Sequence, residues 1–439
     1  MNLNKFYNEA KTRGVSPLEV VYSSSTSLSV EIFNDTVEKY EESNDSSITL
    51  RGIYDGKLGS VSSDNASPKM AKTLIDTLIS GAKFGLKGDP DLFITKGQKY
   101  KKLSKFNEKV DAFTGKQMIE TSLYVSKKIR ELDSRIQLAY VGYEKSSDLT
   151  DFSNSNGLSL KGKSNHLVIY AQTKIVEGNQ IESDFDFAIV ENPSEFDKDA
   201  FAEKLVKSTA GRLGGESVKS KKYDVIFSQD CVSTLIRPLV SQLSVFSVKQ
   251  HLSLFEGKLG QKVLSNKITI TENPHTKTPF GSRFDREGMP TVKKVLINKG
   301  QVSTFLYDLE NAKQDGVQST GNASMQGGNI KPSLGFIEIK PGKASFDELV
   351  NKVKNGLYID SLQGAHAGYN VQSGDYSLQA NGYEIVDGKL GKPVTLITVA
   401  GNVLKDFSKV IAVGSDLKVN FNSVQCPSIA LRKLSVSGK

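Results

Sequence analysis

Apolar and polar residues alternate along much of the first half of the chain, with the spacing of half-buried β-strands. The alternation predicts strands at residues 18–22, 28–33, 47–54, 57–62, 137–143, 158–161, 167–176 and 181–190. Asp55-Gly56 predicts a tight hairpin turn between the third and fourth of these strands, because such turns need positive φ angles that these residues adopt readily.

Apolar residues at three- and four-residue spacing predict helices between these strands. Ser67 followed by Pro68 indicates a helix start, since serine is a preferred N-cap and proline fits the first helical position. Asn192 is expected to cap a helix that extends through residue 212, with Asp197 as the back-bonding acid of a capping box. Further helices are predicted at residues 3–13 and 115–132, after residue 229, and after Ser345, where Glu348 completes a capping box.

The pattern changes after residue 223, where glycines separate short alternating apolar segments, as is typical of tightly turned antiparallel strands. A chain of 439 residues is also too long for one ordinary core. We therefore predict an α+β protein with an N-terminal α/β subdomain at residues 1–90, a middle α/β subdomain at 110–215 and a β-rich domain at 220–439. A polar, lysine-rich segment at residues 87–109 separates the first two.

Several motifs follow one another in an order that is informative. They are S-N-S-N-G-L at 153–158, P-F-G-S-R-F-D-R-E-G-M-P-T at 279–291, L-I-N-K-G-Q-V at 296–302, S-T-G-N-A-S at 319–324, G-A-H-A-G-Y-N-V-Q-S-G-D-Y at 364–376, T-V-A-G-N at 398–402 and A-V-G-S-D-L at 412–417. In this order they resemble the TldD/PmbA family, bacterial and archaeal cytosolic proteins linked to metal-dependent peptide cleavage. The resemblance covers most of the chain and implies a barrel-like C-terminal domain.

Catalytic members of this family contain a His-Glu-x-x-x-His helix, whose imidazoles bind Zn²⁺ while the glutamate acts as general base on the metal-bound water. By position this helix should follow residues 223–228, where the chain reads Q-D-C-V-S-T-L-I-R-P-L-V-S-Q-L-S-V-F-S. Apolar spacing predicts a helix there, but none of the four histidines of the chain lies in it, and none is followed by glutamate. Arg237 is always cationic and cannot replace a zinc-binding imidazole. The pattern resembles the PmbA branch, also called TldE.

This resemblance implies that the chain has no catalytic residue and no metal or other cofactor of its own, and that zinc lies in a TldD-type partner subunit. The two subunits are expected to enclose a chamber that admits unfolded peptides. An extended peptide can be held by main-chain hydrogen bonds, and glycines at residues 368–377 would permit its close approach. Asn370, Gly374, Asp375 and Tyr376 are the predicted substrate-binding residues.

Two alternatives remain open at this point. One is a homodimeric peptide-binding or scaffold protein of the same fold without proteolysis. The other is a metal-independent hydrolase that uses His366 or Cys426. Cys426 lies about where zinc-bearing members take a further ligand, but one thiolate cannot form a zinc site, so we predict a buried structural role for it and for Cys231.

Other candidate chemistry has simpler explanations. Gly157 to Ser164 match the phosphate-loop expression G-x-x-x-x-G-K-[ST], but a strand rather than a helix is predicted after them, so we interpret the segment as a hairpin that turns at Asn156-Gly157. Asp285, Glu287 and Asp375 could form a carboxylate pair for acid–base chemistry, although turn capping is the usual role of such residues.

Composition limits the class of protein further. The formal charge is +8, but 49 acidic residues are interspersed with the basic ones, and the sequence contains no recognisable nucleic-acid recognition helix. We therefore expect no nucleic-acid partner. Two cysteines in 439 residues point to a reducing compartment. The N-terminus lacks the apolar segment of a signal peptide, and no apolar run approaches the roughly 18 residues of a membrane span. We expect a cytoplasmic protein without membrane contact.

Overall fold

The structure is a computed structural model that describes residues 3–326 and 328–439. It is an α+β protein, as predicted. The helices are α1 (Asn4–Thr12), α2 (Ala71–Ala82), α3 (Glu108–Asp111), α4 (Gly115–Leu132), α5 (Lys198–Ala210), α6 (Gln229–Ser241), α7 (Val245–Lys249), α8 (Leu309–Asp315), α9 (Phe346–Val353), α10 (Ala365–Gly368) and α11 (Val403–Phe407). Among the described residues, no helix combines the length and the apolar character needed to cross a bilayer.

Within residues 3–326 and 328–439, the strands fall into three larger sheets and one small ribbon. They are β1 (Leu18–Phe33), β2 (Thr36–Tyr54), β3 (Lys57–Ser63), β4 (Ile136–Asn154), β5 (Ser159–Glu177), β6 (Gln180–Ile189), β7 (Lys221–Phe227), β8 (Ile270–Glu272), β9 (Lys294–Asn298), β10 (Gln301–Val302), β11 (Ala323–Gln326), β12 (Asn329–Pro332), β13 (Ile337–Ile339), β14 (Gly356–Gln363), β15 (Asp375–Val386), β16 (Lys389–Asn402), β17 (Val410–Val413), β18 (Lys418–Asn420), β19 (Val424–Cys426) and β20 (Ile429–Ser437).

The first half of the chain forms one antiparallel sheet with the order β3-β2-β1-β4-β5-β6. The separate strands predicted at residues 18–22 and 28–33 are one long strand, β1, which pairs with β2 on one side and with β4 on the other. Helices α1 and α2 cover the β1–β2 region, and α4 and α5 cover the β4–β5 region, each with its own buried apolar cluster.

The predicted N-terminal and middle subdomains therefore share a continuous sheet. Strand β1 belongs to the first and β4 to the second, and they pair from Glu19 opposite Asn154 to Phe33 opposite Tyr140. The two apolar clusters nevertheless lie under different helices. The division at residues 1–90, 110–215 and 220–439 stays a prediction about independent folding units.

The C-terminal region contains a closed β-barrel, as the family resemblance implied. Strand β7 pairs with β14 and β20, β14 with β15, β15 with β16, and β16 again with β20. Closure of the ring leaves these strands without the long free edge that would invite aggregation. A second sheet, with the order β10-β9-β8-β13-β19-β18, lies next to the barrel. Helix α6 contacts both, through β14 and β19, and its apolar residues belong to their common core.

Local capping explains several helix starts. Thr114 and Gln117 form a reciprocal capping box at α4, and Ser345 and Glu348 form the predicted one at α9. The capping prediction for Asp197 was wrong in one respect. The segment after Asn192 forms only a short 3-10 turn, and Asp197 is itself the N-cap of α5, where its side chain accepts a hydrogen bond from the backbone N–H of Ala200.

Candidate functional site

Helix α6 occupies the position at which a zinc-binding helix would be expected. Ser228 caps its start, with its hydroxyl oxygen accepting a hydrogen bond from the N–H of Cys231 at 3.3 Å. The buried residues of α6 are almost all apolar. They are Cys231, Val232, Leu235, Ile236, Leu239 and Val240, together with the polar Ser233. The inward face of this helix is therefore built for packing.

The second half of α6 contains the two residues that set it apart, Arg237 and Pro238. The guanidinium of Arg237 donates to the backbone oxygens of Leu334, at 2.8 Å, and Gly335. Burial lowers the pKa of Arg237, partly offset by the charge of Glu272. Pro238 lies inside the helix and has no N–H for the helical hydrogen bond. Arg237 thus fixes α6 to the neighbouring loop.

The predicted peptide-binding segment lies against the C-terminal end of α6. The side-chain amide of Gln242 donates to the backbone oxygen of Val371, and its oxygen accepts from the N–H of Leu254 at 2.7 Å. Tyr369 donates its hydroxyl to the backbone oxygen of Leu235 at 3.2 Å. The structure therefore brings together the glycine-rich segment and the helix, which the sequence places more than a hundred residues apart.

The predicted residues form one hydrogen-bonded turn. The side-chain oxygen of Asn370 accepts from the N–H groups of Gln372 and Ser373, and its backbone oxygen accepts from the N–H of Gly374. Gly374 has a φ of +76°, which favours glycine. Asp375 accepts from the side-chain amide of Asn402 at 2.8 Å, and this hydrogen bond lowers the pKa of the exposed Asp375.

Tyr376 differs from its neighbours because it is buried. Its hydroxyl donates to Oδ2 of Asp406 at 2.9 Å, and the N–H of Asn402 donates to the same oxygen at 3.0 Å. Burial raises the pKa of Asp406 and also that of Tyr376. Of the four predicted substrate-binding residues, Asn370 and Asp375 thus have exposed side chains, while the buried Tyr376 supports the turn through its hydrogen bond to Asp406.

The backbone around this turn is largely paired. Residues 375–378 pair with β16, and on the other side Tyr369 bridges to Tyr376. A Cβ atom on Gly368 would lie 2.4 Å from the backbone oxygen of Ser377, so only glycine permits this close approach. A peptide would therefore have to contact the exposed turn at residues 370–373.

The cysteine and histidine candidates are dispersed. Cys231 donates its thiol to the backbone oxygen of Ile359, and Cys426 donates to that of Gln229 at 3.2 Å. Burial raises the pKa of both thiols, so they are protonated and unreactive at neutral pH. His366 is exposed on α10, and the hydrogen bonds of the described residues do not connect it to Asp375. Within the described part of the chain, no three metal-binding side chains converge.

Asp285 and Glu287 are both buried, and the charge of Asp285 contributes to the raised pKa of Glu287, whereas Asp375 lies on the exposed turn. Asp285 accepts backbone hydrogen bonds from Glu287, Met289 and Ala323, which is the turn-capping role. Glu287 is 2% exposed and lies 3.8 Å from Nη1 of Arg51 on β2. Burial raises the pKa of Asp285 to about 6 and that of Glu287 to about 8. Arg51 is not among the residues predicted from the sequence, although a lone arginine among the apolar residues of a predicted strand is a usable signal.

The phosphate-loop match at residues 157–164 is a hairpin, as interpreted. Gly157 has a φ of +83° at the turn, and the following residues belong to β5, which pairs with β4 from Ser159 opposite Ser153 onward. No helix begins there, so the segment lacks the N-terminal N–H groups that hold phosphate.

Comparison with known proteins identifies the family. Residues 220–438 match the model of the PmbA/TldA metallopeptidase C-terminal domain, and residues 18–82 match that of the PmbA/TldA metallopeptidase domain 1. The chain belongs to the PmbA/TldD family. A relative from Buchnera aphidicola, named a metalloprotease PmbA homologue, is 28% identical over 433 residues, covering 96% of this chain and 93% of the relative.

Solved structures show that the family fold extends over the whole chain. A Thermotoga maritima protein described as a candidate modulator of DNA gyrase superposes with a TM-score of 0.91 at 24% identity, over 99% of both chains. TldE from Thermococcus kodakarensis superposes with a TM-score of 0.87 at 22% identity, also over 99% of both chains. At these low sequence identities, the two superpositions show a shared fold only. The family resemblance and the fold class predicted from the sequence are confirmed.

Proposed function

We propose that the chain is a PmbA/TldE-like, non-catalytic subunit of a cytoplasmic metallopeptidase complex that cleaves unfolded peptides together with a TldD-type, zinc-bearing partner. The main support is α6. At the place where catalytic relatives would need two imidazoles and a glutamate, this helix has apolar side chains, Arg237 and Pro238. Arg237 is also bonded to backbone oxygens. Such a helix can stabilise the barrel but offers no imidazole to zinc; its Asp230 forms an ion pair with Lys418, and its buried Cys231 donates to the backbone oxygen of Ile359.

The turn at residues 370–374 supports a contribution to peptide binding. It lies at the end of α6 and exposes the side chains of Asn370 and Asp375 on a turn fixed from below by Tyr376. A pre-formed turn binds a flexible peptide at a smaller entropic cost than a mobile one. We therefore infer that this turn contacts the peptide that the partner cleaves.

The test is reconstitution of the chain with its cognate TldD-type partner and measurement of the cleavage of an unstructured peptide. We expect cleavage by the pair and none by this chain alone. Asn370→Ala and Asp375→Ala should lower cleavage by the pair, whereas Asp347→Ala, a control at an exposed position of α9, should not. Unchanged cleavage by both turn variants would contradict the peptide-binding role.

The same measurements separate the alternatives. Stable self-association without any gain of activity on mixing would favour a homodimeric peptide-binding or scaffold protein. Turnover by the isolated chain that survives a chelator and is lost in His366→Ala or Cys426→Ala would favour a metal-independent hydrolase. The buried, protonated state of Cys426 speaks against the cysteine version of that alternative.

A further inference from the structure

A cleft of about 670 Å³ lies between the first part of the chain and the C-terminal domain. Both parts contribute apolar side chains to its walls; these include Leu58, Leu92, Phe246, Met325 and Ile330. Two carboxylates, Glu287 and Asp308, also line the cleft, although they are only 2% and 1% exposed. Acids this deeply buried normally have paired oxygens, so their hydrogen bonds are informative.

Each of the two carboxylates has one oxygen without a hydrogen-bond donor among the described residues. Oε2 of Glu287 accepts from the N–H of Leu309 at 2.8 Å, but the contact of Oε1 with Nη1 of Arg51, at 3.8 Å, is too long for a hydrogen bond. Oδ1 of Asp308 accepts both the backbone and the side-chain N–H of Asn311, at 2.8 and 2.9 Å, which leaves Oδ2 unpaired. Two acceptors in one cleft are thus available to a ligand.

Negative charge is in excess among the buried charged residues at and next to the cleft, whereas the more exposed part of its lining adds Lys249, Lys331 and Glu310. The two guanidiniums of this cluster are engaged mainly by Glu19, whose oxygens lie 3.1 Å from Arg51 and 2.8 Å from Arg286. Four buried carboxylates, on Glu19, Asp285, Glu287 and Asp308, therefore face two cations, an excess of two negative charges when all are ionised. Burial, only partly offset by Arg51, raises the pKa of Glu287 to about 8, as expected for a carboxyl with too few cationic partners.

The lysines at the cleft do not supply the missing charge. Lys249 forms an ion pair with Asp315 at 2.8 Å and donates to Gln314 at 3.0 Å. Lys331 lies over the ring of Phe246, 4.1 Å from its centroid. Within the described residues neither lysine forms an ion pair with Glu287 or Asp308. Among the described residues, the two lysines thus leave the free oxygens of Glu287 and Asp308 open to a cation from outside the chain.

The chemistry of the cleft favours an organic cation over a metal ion. No three metal-binding side chains converge among the described residues, and a guanidinium stands beside Glu287. An ammonium group on an alkyl stem matches both features of the cleft, because its N–H groups need acceptors and its methylene groups need apolar walls. A lysine side chain has this structure, whereas a free peptide N-terminus lacks the apolar stem.

We propose that this cleft binds the protonated side chain of a lysine in an extended peptide, with Glu287 and Asp308 accepting its hydrogen bonds and the apolar walls holding its methylene groups. None of the residues that line this cleft belongs to the turn at residues 370–374, and the binding needs no partner subunit. Its failure in a binding experiment would therefore leave the accessory-subunit proposal untouched, and the reverse also holds.

The experiment is calorimetric titration of the full chain alone with the peptide acetyl-Ala-Ala-Lys-Ala-Ala-amide. The matched control peptide contains norleucine in place of lysine, which keeps most of the alkyl stem and removes the charge. A third peptide contains norleucine but has a free N-terminus. We expect the lysine peptide to bind about ten- to a hundredfold more tightly than either norleucine peptide, as charge-assisted hydrogen bonds would give.

Two variants locate the site independently. At pH 8.5, above the raised pKa of Glu287 of about 8, Glu287→Gln and Asp308→Asn should each weaken binding of the lysine peptide about tenfold or more. Asparagine still caps α8, so Asp308→Asn tests the site even if Glu287→Gln perturbs folding. Glu120→Gln, an exposed control on α4, should bind like the unaltered chain.

Several results would overturn the proposal. Equal binding of the lysine and capped norleucine peptides would show that the charge is not recognised. Stronger binding of the norleucine peptide with a free N-terminus would assign the cleft to a different amine. Absence of binding by any peptide, or unchanged binding by both folded cleft variants, would equally contradict it.

Discussion

Replacement of Glu287 by glutamine should change how the stability of the protein depends on pH. The variant keeps an acceptor for the N–H of Leu309 but removes the ionisable group. Burial is the main cause that raises the pKa of Glu287 to about 8 from its ordinary 4.5; Arg51 lowers it, and Asp285 and Asp308 raise it further. Between these two values the folded chain holds a proton that the unfolded chain has released. The free energy of unfolding therefore falls as pH rises through this window.

The size of the effect follows from the same two values. At 1.36 kcal/mol per pKa unit, Glu287 alone should remove about 3 kcal/mol of unfolding free energy between about pH 5.5 and about pH 8.5. Burial also raises the pKa of Asp285, to about 6, but Asp285 titrates in both proteins, so its contribution largely cancels in the comparison. The variant should therefore lose less stability than the unaltered chain over this interval.

Urea unfolding at the two pH values, followed by circular dichroism, measures this difference directly. We expect the unaltered chain to lose about 3 kcal/mol more than Glu287→Gln on going from the lower to the higher pH. Glu120→Gln, at an exposed position of α4, should follow the unaltered chain. If the curves for Glu287→Gln and the unaltered chain were parallel, differing by less than about 0.5 kcal/mol, Glu287 would not titrate as the buried cluster requires.

Three further predictions concern α6, the turn beside it and the buried thiol. Tyr376→Phe should lower the free energy of unfolding by about 1.5–3 kcal/mol in urea, because it removes a hydrogen bond to the buried carboxyl of Asp406; an unchanged midpoint would mean that this bond does not fix the turn. Ile236→Ala should cost about 2–5 kcal/mol in the same assay, since Ile236 is fully buried where α6 enters the core, and a loss below about 1 kcal/mol would contradict that packing. Cys426 should resist alkylation by iodoacetamide in the native protein and react after unfolding, as mass spectrometry can follow; rapid native labelling would show that the thiol is accessible.

Much of the local structure could be predicted because its causes are local. The capping box of Ser345 and Glu348 acts within one helical turn, and the hairpin turn at Asn156-Gly157 depends on the φ that glycine adopts. Helix α6 could also be predicted, since the apolar residues on the packed face of a helix recur every three to four residues. The cap assignment that was wrong concerns Asn192 and Asp197, which lie five residues apart; both are preferred N-cap residues, so the sequence alone did not show which one caps α5.

The long-range contacts could not be read from spacing. The barrel closes through the pairing of β16 with β20, and nothing local indicates which strands meet. The same holds for the cleft, where Arg51 lies near Glu287 from a strand more than two hundred residues earlier. The predicted turn residues Asn370, Gly374, Asp375 and Tyr376 do lie together, because they are close in sequence. Their position at the end of α6 required the folded structure.

The proposed function requires a zinc-bearing partner subunit. Its test is the zinc content, by elemental analysis, of the purified chain and of its complex with the cognate TldD-type subunit, measured alongside peptide cleavage. We expect neither stoichiometric zinc nor cleavage for the chain alone, and both for the complex. Stoichiometric zinc, or chelator-sensitive cleavage by the chain alone, would contradict the proposal and would mean that this chain forms a metal site of its own.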